Sequence, residues 1–295
     1  MNDELWTSKF LPGVDDKSML SILRMVRENM IHARDYRPRV GIFGDTGVGK
    51  SSLCNALFGK ETVCVSDVKA CTRKAQEVEI STDSGGITLV DVPGVGEDTE
   101  RHNEYVDLYK KLIPDLDIIL WVFKADNRAY KSALEVYNEV LKPHLDRCPV
   151  VFVLNQADKI EPSEEWYEND HKLGAKQKYN LLERIIEVSS KFDVSASKIV
   201  AVSANKKYHL KELVDIIVST LPNEKKYGFT RETKEENVSE ETREKAEEGI
   251  WEYIKEKAGD ALSYLIENKD KILEIAAEVL PVVKKTFGWL KGKFA

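Results

Sequence analysis

The sequence predicts a doubly wound, mostly parallel α/β sheet with a helical segment at each end, and three observations carry that reading. From Arg39 to about residue 221, short β-type runs alternate with helical stretches, the signature of a parallel sheet covered by helices on both faces. Amphipathic helical patterns flank this stretch on both sides. The 295 residues suffice for one large α/β domain and a small appendage, but would crowd two full domains.

The leading pattern over 15–35 places Met19, Leu23, Val26, Met30 and Ile31 at helical spacing after Asp15 and Asp16, which can cap the first turn. Pro38 closes it, so residues 1–37 read as a leading amphipathic segment and 38–222 as the α/β domain. Strands are expected at 39–43, 75–80, 86–91, 117–123, 149–154 and 198–202, and helices at 49–58, 103–113, 131–142, 172–191 and 209–220. The turn Asp83-Ser84-Gly85-Gly86 joins the second and third strands as a hairpin, which makes one edge strand antiparallel. After Pro222 the composition shifts. Residues 223–248 hold nine acids and six bases with few apolar anchors, the pattern of a solvated, charged linker that can be helical. Residues 249–295 then resume an amphipathic pattern that needs a partner surface.

Composition narrows the function classes. A net charge of −7 lacks the basic field that drives non-specific nucleic-acid binding, so a large RNA or DNA footprint is disfavoured. Cys54, Cys64, Cys71 and Cys148 show no paired spacing and read as reduced thiols. No run of about 18 apolar residues occurs and the N-terminus lacks a signal core, so the expected location is cytoplasmic, with peripheral attachment to a membrane as a variant.

Four motifs carry chemistry. Gly44-Asp45-Thr46-Gly47-Val48-Gly49-Lys50-Ser51, followed by Ser52, fits G-x-x-x-x-G-K-[ST] between a strand and a helix. Its glycines let backbone N–H groups converge on phosphates at a helix N-terminus. Lys50 then reaches the outer phosphates and Ser51 ligates magnesium. Asp91-Val92-Pro93-Gly94 closes the third strand. Asp91 is expected to hold magnesium and Gly94 to offer its N–H to the terminal phosphate. Asn155-Gln156-Ala157-Asp158 follows the fifth strand, where ligands gather in such sheets. The Asp158 carboxylate can accept from both N1–H and the exocyclic amine of guanine, a donor pair adenine lacks. Ser203-Ala204-Asn205 adds an Ala204 N–H that can meet guanine O6. A phosphate-loop enzyme using ATP is the rival reading, disfavoured by Asp158.

With these elements in this order, residues 39–221 resemble the Era-like branch of the translation-factor-class GTPases, and within it the Era-like GTPases of bacterial prophages and mobile elements. The stretches GKSSLCNALFG, VSDVKACTR, VDVPGVG and LDIILWVFKADNRA carry the likeness. The resemblance implies a G domain that takes GTP, GDP and Mg2+ and hydrolyses GTP as a switch. It further implies that Thr72, which lies 21 residues after Ser51, closes on magnesium and the γ-phosphate. Three departures stand out. Gln156 replaces the usual selector lysine. Gly47 stands where many relatives use an asparagine to recruit potassium. Val95 occupies the place of the water-orienting glutamine of Ras-like switches. A valine cannot position water, so Arg128, after the fourth strand, is the candidate cation delivered across a homodimer of G domains, with Arg73, Arg101 and His102 as other candidates. The alternative is a nucleotide-loaded scaffold with negligible hydrolysis.

Residues 279–295 interleave Lys284, Lys285, Lys291 and Lys293 with Phe287, Trp289 and Phe294 and carry no acid. That composition suits a peripheral membrane contact, a protein partner's groove, or packing on the leading helix.

Overall fold

The computed structural model describes residues 16–58, 76–82, 85–91, 102–259 and 268, 270 and 272. Helix α1 (Asp16–Asp35) leads into strand β1 (Arg39–Phe43), the phosphate-loop stretch and α2 (Lys50–Phe58). The hairpin β2 (Gln76–Thr82) and β3 (Gly85–Asp91) precedes α3 (His102–Leu112). Then come β4 (Ile118–Lys124), α4 (Lys131–Val136), β5 (Val150–Asn155), α5 (Ala175–Phe192), β6 (Ile199–Ala201) and α6 (Leu210–Thr220). Two more helices follow, α7 (Asn223–Glu232) and α8 (Glu240–Lys257).

The strands order as β2-β3-β1-β4-β5-β6. Only β2 runs antiparallel, paired to β3 through the expected hairpin; the other five are parallel. Alternation along each strand sorts side chains to two faces. Phe43, Trp121, Phe123, Phe152 and Leu154 pack beneath α3, α4 and α5 with Tyr109, Tyr137 and Phe192. Val40, Ile42, Leu120, Val122, Val151 and Val153 pack beneath α2 and α6 with Leu53, Leu57, Leu213 and Ile217. The helical run expected over 131–142 divides: α4 ends at Val136, Tyr137–Leu141 widens into a π turn, and Lys142–His144 tightens where Pro143 removes a donor.

The stretch 223–248 is helical, as a helical linker would be, but it is packed and not solvated throughout. It folds as α7, a short turn Glu235–Asn237 and the first half of α8. Its anchors are few but large: Tyr227 and Phe229 are buried, and Phe229 meets Phe58 edge-on. Polar residues supply the rest of the hold, since Thr230, Thr242 and Asn237 are buried and hydrogen-bonded. Two bonds reach the last turn of α2, from Lys234 N–H to the Leu57 carbonyl at 2.8 Å and from Asn237 Nδ2 to the Ala56 carbonyl at 2.9 Å. Helix α1 packs on α7 and α8 in a third cluster, with Ile22, Val26, Met30 and Ala33 against Tyr227, Ile250, Trp251 and Ile254. The leading helix and residues 249–258 thus share one helical layer. The stretch 279–295 lies outside the described residues.

A buried ionic knot fixes this layer to the sheet. Asp117, at the entrance to β4, accepts from the Tyr36 hydroxyl at 2.9 Å, the Arg39 N–H at 2.8 Å and Lys225 Nζ at 2.7 Å. Burial and the Asp117 carboxylate raise the Tyr36 phenol well above its ordinary range, which keeps it a neutral donor. Cys54 and Cys148 are buried, and neither is in a disulfide among the described residues. Burial, reinforced by Asp117, pushes Cys148 up to about 12, so it stays a neutral thiol. No helix among the described residues is long and apolar enough to cross a membrane.

Asp117→Ala strands Lys225 and an N–H of β1 without their acceptor. A loss of about 3 kcal/mol in unfolding free energy is expected, as for other broken buried pairs, and urea denaturation measures it.

Candidate functional site

The site is built at the carboxyl edge of the parallel strands, where the chain leaves each strand and must turn. After Phe43 the backbone enters a loop with Gly44 at φ 142°, Gly47 at 77° and Gly49 at 89°. Two of these glycines are required by contact as well as by conformation. A Cβ on Gly44 would lie 2.2 Å from the Val122 carbonyl oxygen, and one on Gly49 would lie 2.5 Å from Asn155 Nδ2. Val48 is buried and roots the loop in the core, while Thr46 and Gly47 are exposed at its crest. Lys50 opens α2 and turns its ammonium back over the loop, donating to the Gly44 carbonyl at 2.8 Å and the Asp45 carbonyl at 3.3 Å. Ser51 and Ser52 sit half-buried in the first turn of α2, at the positive end of the helix dipole.

The second wall comes from the ends of β5 and β6. Asn155 is buried, and its Nδ2 donates to the Val48 carbonyl at 2.9 Å while its Oδ1 accepts the Ala204 N–H at 3.1 Å. One amide therefore joins the phosphate-loop stretch to the segments that follow β5 and β6. In this structure the Ala204 N–H, expected to meet guanine O6, is engaged by Asn155. Gln156 stands at φ 62°, a left-handed position that a side chain occupies only at some strain. It is held there by its Nε2, which donates to the Gly47 carbonyl at 3.0 Å. Asp158 lies half-buried in the short turn Ala157–Lys159. Gln177 of α5 braces that turn, donating to the Asp158 carbonyl at 3.2 Å and the Ile160 carbonyl at 2.9 Å. Ser203 is buried and closes its own loop through paired backbone bonds with Tyr208.

Between the walls runs a cleft of about 230 Å³, which Gly47, Ser52, Gln156, Ser203 and Asn205 help to line. Two further lining residues, Lys124 and Lys159, escaped the sequence reading. Lys124 ends β4 in register with Asn155, so its place at a strand's carboxyl end was the available signal. Both lysines give the cleft a cationic border suited to an anion. Asp91 closes β3 in register with Ile42 of β1, which puts a carboxylate-bearing position at the strand end beside the loop that leads to Ser51. A hydroxyl and a carboxylate on neighbouring segments are the donors magnesium takes when phosphates complete its shell. Thr72, Arg73, Gly94, Val95 and Arg101 lie outside the described residues. Arg128 is exposed and lines a different cleft, with Asp126, Glu161 and Glu183.

Residues 39–156 match the protein-family model described as 50S ribosome-binding GTPase. Over 190 residues the chain is 40% identical to the uncharacterised Escherichia coli protein YkfA, covering 64% of this chain and 64% of that one. It is 30% identical over 187 residues to the GTPase Era of Aquifex aeolicus, covering 62% of this chain and 56% of Era. The crystal structure of Aquifex aeolicus Era bound to GDP.AlF4- is 29% identical, with a TM-score of 0.46 over 62% of this chain and 56% of that one. The chain spans less than two thirds of the length of these relatives.

Asn155→Ala removes the amide that ties three loops and orphans the buried Ala204 N–H. A loss of about 1–3 kcal/mol in stability is expected, with weakened binding of a fluorescent guanine nucleotide, both read by titration.

Proposed function

We propose that residues 39–156 form an Era-like P-loop GTPase domain, and that this chain binds GTP with magnesium and hydrolyses it to GDP and phosphate as a molecular switch. The observation that carries the reading is the cleft itself, in which a glycine loop at a helix N-terminus is held by Asn155 and Gln156 against the two specificity segments. A phosphate chain would lie along the loop N–H groups and Lys50, which would exchange its bonds to the Gly44 and Asp45 carbonyls for phosphate oxygens. Ser51 and Asp91 would hold magnesium, which supplies charge neutralisation between the β- and γ-phosphates, and Thr72 and the Gly94 N–H would close over the γ-phosphate. The base would stack beside the stem of Gln156, and Asp158 would accept from its N1–H and amine.

In hydrolysis, water oxygen bonds to the γ-phosphorus as the bond to the β–γ bridging oxygen breaks, and GDP leaves with that oxygen's electron pair. Val95 offers water no hydrogen bond, so unassisted turnover is expected at or below the order of 10⁻⁴ per second. Arg128 lines a separate cleft and enters this scheme only if a second protomer receives it. The lysine- and aromatic-rich stretch 279–295 would attach the switch to an anionic membrane or a partner groove.

Asp158→Asn should move preference from GTP toward xanthosine triphosphate, and unchanged GTP affinity in that variant would remove Asp158 from the site. Lys50→Ala should weaken GTP about 10- to 100-fold, the worth of one charge-assisted bond. Single-turnover phosphate release, with and without chelation of magnesium, separates the switch from a scaffold that holds nucleotide without cleaving it.

A further inference from the structure

Helix α5 carries apolar side chains on two opposite sides. Leu181, Val188 and Phe192 are buried toward the sheet. On the opposite ridge Tyr179, Leu182 and Ile186 are 64%, 54% and 53% exposed. Their spacing of three and four residues puts them in one row along the helix. Single exposed apolar residues are ordinary, but a continuous row on the outer crest of an amphipathic helix marks an interaction surface.

The charges beside the row say what fits it. Lys176, Glu183 and Glu187 share one flank, being spaced by seven and four residues. Lys176 is exposed and makes no ion pair among the described residues. At the other end, Glu183 and Glu187 border a cleft of about 460 Å³ with Asp126 and Glu161, four carboxylates against the guanidiniums of Arg128 and Arg184. Glu187 also bonds Arg184 and Lys191 within the helix. This flank is therefore cationic at its start and acidic toward its end, beside the apolar row.

We propose that this ridge is an interface with a second copy of this chain, the two α5 helices packing antiparallel about a twofold axis near Leu182. In an antiparallel pair each flank meets itself with its direction reversed. Lys176 then reaches Glu187 of the partner subunit and the acidic border of that cleft. Tyr179 meets Ile186 of the partner subunit, and the leucines close the centre. A parallel pair would set this flank against the opposite one and leave Lys176 away from Glu187 of the partner subunit, and a partner of unrelated sequence has no reason to match this order of charge. The contact is small, so the dimer is a weak, reversible one. It lies on the flank of the domain, apart from any pairing across the nucleotide clefts, and does not depend on the reading of the site.

Sedimentation velocity of the full chain in GDP and magnesium, from about 1 to about 200 µM, tests it. A reversible monomer–dimer equilibrium is expected. Leu182→Glu, which sets two carboxylates at the axis, should raise the dissociation constant at least tenfold while leaving nucleotide affinity unchanged. Lys176→Glu and Glu187→Lys should each weaken the dimer, and the two together should restore it. A chain that stays monomeric throughout leaves the ridge to another partner and overturns the proposal. So does a dimer indifferent to Leu182→Glu, or a double exchange no tighter than its single variants.

Discussion

Everything at the carboxyl edge depends on one buried amide. Asn155 satisfies its donor and its acceptor on two different loops, at the Val48 carbonyl and the Ala204 N–H. A buried amide group left unpaired is costly, so the loops are held at the spacing the amide sets. Gly49 shows how tight that spacing is, since no side chain would fit between its backbone and Asn155. Gln156 reaches back to Gly47 and repeats the tie one residue on.

The second support is the helical layer of α1, α7 and α8. It is joined to the sheet by the Asp117 knot, by Phe229 against Phe58 and by bonds to the end of α2. Polar groups do much of this joining because the segment is rich in charge and short of apolar residues. Each buried polar group therefore has a specified partner, and the geometry is fixed more narrowly than a greasy contact would fix it.

Much of this was legible in the sequence, for identifiable reasons. The strands announced themselves because buried parallel strands such as Val150–Asn155 are nearly all apolar. The phosphate-loop stretch was legible because its glycines answer a backbone demand that few other residues meet. Two features were not. Helix α7 looked like solvent-facing chain because its hold comes from Tyr227, Phe229 and hydrogen-bonded polar residues, which leave no apolar period. The engagement of the Ala204 N–H was hidden because it depends on an asparagine 49 residues away, a contact only the folded chain creates.

The bonds from Lys234 and Asn237 to the last turn of α2 carry a consequence for dissection of the molecule. Helix α2 begins at the phosphate loop and ends where those two residues cap its carbonyls, so it is pinned at both extremities. The boundary suggested by sequence similarity falls short of the second pin. A fragment cut at residue 222 would bare the seat of Phe229 and leave the final carbonyls of α2 to solvent. The sheet and its phosphate-loop stretch therefore share one skeleton with α1, α7 and α8, and a cut after α6 would divide it.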